Sequence, residues 1–148
     1  SYLLFRDIVR SAVQRQTEII EEMHQSEGTF LERMSNLFSA IMEDARKNRA
    51  LFWMIHGIIF GPTRGKPDYD FREFHQRLAE AIEVLYLEGV REGEAVEADT
   101  EVVVQTILAL INHAIHLDLA LPGRTDGELP SEMLRLAFRG FFQGDMKK

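Results

Sequence analysis

The sequence contains no cysteine, only four prolines and a single tryptophan. Without cysteine there is no disulfide framework, no thiolate zinc site and no thiol nucleophile, and the composition fits a reducing cytoplasmic setting. Basic charge is also scarce. Seventeen Lys and Arg stand against 24 Asp and Glu, a formal charge of -7. Such a surface holds a phosphate backbone poorly, so contact with nucleic acid would need residues outside this chain or a local basic patch. The apolar runs are interrupted by His, Gly, Asn or Asp, and the reading expects none to reach the roughly 20 residues of a membrane span. No leader with an apolar core and a small-residue cleavage site is seen. The opening "SYLLFRDIVR" starts inside an amphipathic pattern without an initiator Met, which reads as a piece of a longer chain.

What is present is helical periodicity throughout, in a chain of 148 residues that suits a single domain spanning 1–148. Phe5, Ile8, Val9, Ala12, Ile19, Ile20 and Met23 trace one face of a first helix, broken by "HQSEG". Thr29 followed by Glu32 reads as a capping box for a second helix. Asn48 is expected to cap a short third helix, stopped by Gly61 and Pro62. "GPTRGKPDYD" is a loop by composition, and Asp70 with Glu73 reads as the start of a fourth helix that unwinds near Gly89 and Gly93. Asp99 is the expected cap of a fifth helix ending before Pro122 and Gly123. Pro130 suits the first turn of a sixth, running to about Phe142. The fold class is therefore all-α, with six helices and no strand.

The last two helices carry more apolar surface than one covered face requires. The fifth has Val103, Ile107, Leu110, Ala114 and Leu117 on one line, with Val104, Leu108, Ile111, Ile115 and Leu119 beside it. The sixth has Leu134, Phe138 and Phe141, and also Met133, Leu136 and Phe142, with small Ala137 and Gly140. An identical subunit is the expected cover for the second side. The alternative is a fifth helix that is simply central, with the sixth lying over it.

Several motifs fail on spacing. "GPTRGKP" is not a phosphate loop, because no Ser or Thr follows the lysine and no strand precedes it. Glu21 with His24 matches one Glu-x-x-His pair, but di-iron bundles need two pairs and two further Glu. Of the histidines, His56 reads either as a core residue or as a polar group lining a pocket. His113 and His116 are three apart on one helical face, a spacing that can hold a metal but lacks a specified third ligand. Gln105, Asn112 and His116 form a polar stripe facing either a partner helix or a chamber. His75 is expected near a chamber mouth or the surface.

The order of these signals resembles the C-terminal ligand-binding domain of the TetR family of transcription regulators. "YLLFRDIVRSAVQRQTEIIEE" is similar to the family's long connecting helix, "GTFLERMSNLF" to its next helix and "KNRALFWMI" to the short third one. "HQRLAEAIEVLYLEGVREGEAVEADTEVVVQTILALI" carries the most telling likeness: a helix closing on Gly, then Arg-Glu-Gly-Glu, then an Asp-led helix. The resemblance implies that the last two helices form a dimeric four-helix bundle through Leu108, Ile111, Ile115, His116, Leu119, Leu134, Ala137, Phe138 and Phe141. It implies a chamber for a small apolar or aromatic effector, lined by Met34, Phe38, Ile41, Trp53, His56, Phe60, Phe74, Leu78, Ile82, Asn112 and His113. It further implies a cytoplasmic, non-enzymatic protein with no cofactor, no bound metal and no membrane partner. Operator DNA would be reached only through a helix-turn-helix head upstream of Ser1. The effector would release a repressor by favouring the non-DNA conformation by about 1–3 kcal/mol. The alternative is an all-α metal-binding protein or enzyme using His56, His113 and His116.

Overall fold

The structure is a computed structural model that describes residues 2–62, 72–121 and 128–139. Among the described residues there are six helices and no strand: α1 (Tyr2–Gln25), α2 (Phe30–Lys47), α3 (Arg49–Phe60), α4 (Arg72–Arg91), α5 (Thr100–Ala120) and α6 (Glu128–Arg139). Local chemistry sets most of their limits. Gly28, at φ 129°, breaks the chain after α1. The Thr29 side chain then accepts the Glu32 N–H, starting α2. Asp99 accepts the Val102 N–H in the same way at the head of α5. Asn48 behaves differently from expectation. Its amide donates back to the carbonyl and carboxylate of Asp44, so it closes α2, and it makes no side-chain cap bond to α3. Gly93, at φ 75°, ends α4 as expected. Asp70 and Phe142 lie outside the described residues.

Helix α2 runs through the centre and touches all five others. Its buried line Met34, Leu37, Phe38, Ile41 and Met42 packs against Leu78, Ile82 and Leu85 of α4, Ile107 and Ile111 of α5, and Leu134 of α6. Gly89 lets α4 approach α2 closely, since a Cβ there would lie 2.9 Å from the Phe30 ring. A second apolar cluster joins Val9 and Ala12 of α1 to Ile55 of α3, with Phe74 of α4 packed against it.

The expected dimer residues need correction. Leu108, Ile111, Ile115, Leu119 and Leu134 are buried inside the single chain, covered by α2, α4 and α6. The apolar surplus of α5 arises because that helix is central. Its outer line is Glu101, Gln105, Ala109, His113 and His116, which is polar or small and exposed. Ala137 is half-buried, while the Phe138 side chain and Phe141 lie outside the described residues. The expectation about apolar runs also changes. Among the described residues α5 is long and apolar enough to cross a bilayer by length and composition, a test that a core helix also meets.

Charged side chains tie the helices together away from the apolar core. Asp118, almost fully buried on α5, is paired with Arg46 of α2 at 3.3 Å and Arg49 of α3 at 3.1 Å. Arg49 also donates to the carbonyls of Asp118 and Leu119, satisfying orphan acceptors at the end of α5. At the opposite end, the Tyr86 hydroxyl of α4 donates to the Val96 carbonyl at 2.8 Å and accepts the Ala98 N–H at 2.9 Å. That pair of bonds fastens the loop between α4 and α5 to α4 itself.

Candidate functional site

A cleft of about 950 Å³ opens between α3, α4 and α5. Its α4 wall is His75, Gln76, Ala79, Glu80 and Glu83, which recur every three or four residues and so share one face. The α5 wall is Glu101, Val104, Gln105, Leu108, Ala109, Asn112, His113 and His116, and α3 adds His56, Ile59 and Phe60. Because α4 and α5 are joined by a short loop, they run antiparallel. Glu83 and Glu101 therefore sit at the loop end, and the histidines gather at the other.

Below the histidine end lies a second, enclosed cavity of about 40 Å³, room for a water or two or for the tip of a larger molecule. Gln16 and Ile19 of α1, Ile41 and Asp44 of α2, Phe52 of α3, Phe74, His75 and Leu78 of α4, and Asn112 and Ile115 of α5 surround it. His75 and Asn112 line both spaces, so these two side chains form the partition between cleft and interior. Two polar atoms here have no partner among the described residues: Gln16 Oε1, on a side chain 6% exposed, and His75 Nε2. Buried polar groups are nearly always satisfied, so Gln16 Oε1 carries an unmet acceptor beside the inner cavity.

The histidines form a connected group. His116 Nδ1 lies 3.2 Å from His56 Nε2, and the two rings stack with centroids 5.0 Å apart. A hydrogen bond between imidazoles requires one nitrogen to be an unprotonated acceptor. Burial lowers the pKa of His56, with His116 and then His75 adding like-charge repulsion. Burial alone lowers that of His75. Both resist protonation more than they do in the unfolded chain, whose reference value is 6.5. The unfolded state then binds more protons below that value, and stability falls as pH falls. We expect the melting temperature to drop between about pH 7.5 and about pH 5.5, and to drop less in His75→Phe. An equal drop in both proteins would remove this role from His75.

The expected chamber residues divide among several places. His56, Phe60, Asn112 and His113 line the cleft, while Ile41, Phe74 and Leu78 line the inner cavity together with Asn112. Met34, Phe38 and Ile82 are fully buried and line neither space, so they are core. Trp53 is 53% exposed on the outer side of α3, against Arg49, Ala50 and Leu119, and belongs to neither space. His116, expected at a dimer contact, lines the cleft instead, as does the whole Gln105, Asn112 and His116 stripe. The sequence reading did not single out Gln16 or the carboxylates Glu80, Glu83 and Glu101. Among the described residues no group of three or more His, Asp or Glu is placed to hold a metal ion, so the triad of His56, His113 and His116 is not assembled.

No protein-family model, curated protein or solved structure matches the chain.

Proposed function

We propose that this chain is a small-molecule-sensing domain, the effector-binding and dimerising part of a TetR-type transcription regulator that meets DNA through a separate head. The observation that carries the reading is the open cleft between α3, α4 and α5, with a small inner cavity behind His75 and Asn112. Ligand sites combine apolar walls with a few placed polar groups, and this pair of spaces has both. Phe60, Ile59, Val104 and Leu108 supply apolar wall, and the histidines, Asn112 and Gln16 supply polar points. The regulatory part of the reading rests on the resemblance in sequence order. In such a regulator the dimer would meet on the half-buried line Val103, Leu110 and Leu117 of α5, with Leu136 and Ala137 of α6, since the deeper apolar residues are used inside the chain.

The test is titration with the neutral fluorescent probe N-phenylnaphthylamine. Saturable binding at one site per chain is expected. Ala109→Trp, which fills the cleft from an exposed position, should abolish it while leaving the melting temperature within about 3 °C, as surface substitutions usually do. An absence of saturable binding to the wild type, or unchanged binding to the tryptophan variant, would overturn the reading.

A further inference from the structure

We propose that the contact between His56 of α3 and His116 of α5 is an acid-operated latch. With one ring neutral it holds the far half of α3 against α5. With both rings protonated it lets that half swing out and widens the cleft. The latch goes beyond the ligand-binding reading and is tested with no ligand added.

Two polar ties join α3 to α5. At the start of α3, Arg49 donates to the Asp118 carboxylate at 3.1 Å and to the carbonyls of Asp118 and Leu119. Further along, His56 Nε2 lies 3.2 Å from His116 Nδ1. An arginine–carboxylate pair does not titrate in the range where imidazole does, so the first tie persists while the second changes. The stretch of helix from Arg49 to His56 is a lever of about 10 Å. Contact of Ile55 with Val9 and Ala12 of α1 keeps the inner side of α3 seated as the lever tilts.

At 3.2 Å, one ring nitrogen must carry a proton and the other a lone pair. One added proton keeps that arrangement, because the charged ring donates to the neutral one. A second leaves two N–H groups facing each other with no acceptor, on cationic rings whose centroids are 5.0 Å apart. The surroundings do not offset that repulsion. From α5, His113 stacks on His116 with centroids 6.4 Å apart, and the Asp118 carboxylate is taken by Arg46 and Arg49. From α4, His75 meets the Phe60 ring edge-on, and Phe60 lies 4.6 Å from His56. Glu73 of α4 is paired with Arg77, and Glu80 accepts from the Gln76 amide. From α2, Asp44 is bonded to Arg15 and Asn48, and α1 meets α3 through apolar side chains. The groups whose charge acts on His56 are His116 and His75, and no carboxylate is among them.

The chain has no cysteine, so two introduced cysteines carry the only spin labels. Gly57→Cys places one on α3, where a Cβ meets nothing within 4 Å, and Thr106→Cys places the other at an exposed position of α5. Dilution with unlabelled chain removes distances between copies. From about pH 7.5 to about pH 5 the label distance should lengthen by about 3 Å, room for a layer of water between the rings, with circular dichroism unchanged. His116→Asn supplies an amide that bonds His56 in either charge state and does not titrate, so its distance should stay short at both pH values. His56→Asn makes the same test from α3. His24→Asn, at an exposed position of α1, should open as its parent does. An unchanged distance in the labelled parent, equal lengthening in both asparagine variants at the latch, a closed His24→Asn, or loss of helix in the parent at the lower pH would overturn the latch.

Discussion

Phe38→Ala should lower stability by about 3–5 kcal/mol, the range for deleting a fully buried aromatic ring. Phe38 is 0% exposed at the centre of α2, the helix that touches every other. Its ring packs among Met34, Leu37 and Met42 of the same helix and the facing residues of α4, α5 and α6. Neighbours from so many directions cannot collapse together into the space, so both the transfer and the cavity costs are felt. For a chain of this size that corresponds to a fall in melting temperature of about 10 °C or more. Phe60→Ala is the contrasting case. Phe60 is 57% exposed and lines the cleft, so its loss should change melting by little and probe binding by much. Thermal unfolding followed by circular dichroism separates the two. A fall of less than about 3 °C in Phe38→Ala would mean that the centre of the domain is not packed as described.

The second large effect is expected from Asp118→Ala. The carboxylate is 5% exposed and neutralises Arg46 and Arg49 together. Removing one partner of a buried ion pair costs about 3–5 kcal/mol because the other charge is stranded. Here the arginine side chains are 30% and 38% exposed and can rehydrate, which brings the expected loss to about 2–3 kcal/mol. Arg49 also closes the end of α5 through two carbonyls, and that contact survives only if its guanidinium stays in place. Asp118→Asn should lose less, since an amide oxygen still accepts from arginine. Urea unfolding that ranked the asparagine variant below the alanine variant would contradict this account.

The helices were legible in the sequence because their signals are local. Thr29 and Asp99 cap whatever tertiary partner the helix later finds, and Gly61 and Pro62 end α3 for backbone reasons alone. The facing of each helix was harder. The wide apolar surface of α5 reads identically whether a second subunit or the chain's own α2, α4 and α6 cover it, and only the packing decides. Met34 and Phe38 were expected at a chamber because aromatic and thioether side chains suit both pockets and cores. Gln16 was within reach: it lies on the apolar line of Val9, Ala12 and Met23, and a long amide on such a line calls for an explanation. Glu80, Glu83 and Glu101 were not, since exposed glutamates on two helices become a cluster only when those helices are laid side by side.

The Tyr86 fastening has a mechanical consequence. A pair of rods riveted at one tip can separate only by swinging about the rivet, and the gap then widens in proportion to distance from it. For α4 and α5 the rivet is the Tyr86 hydroxyl between Val96 and Ala98; at the other tips α5 is held near His116 by Asp118 with Arg46 and Arg49, while α4 carries His75. A guest wedged between the helices thus moves the glutamate tip least and the His75 tip of α4 most. The largest displacement then falls beside the Gln16 side of α1, which shares the inner cavity with His75.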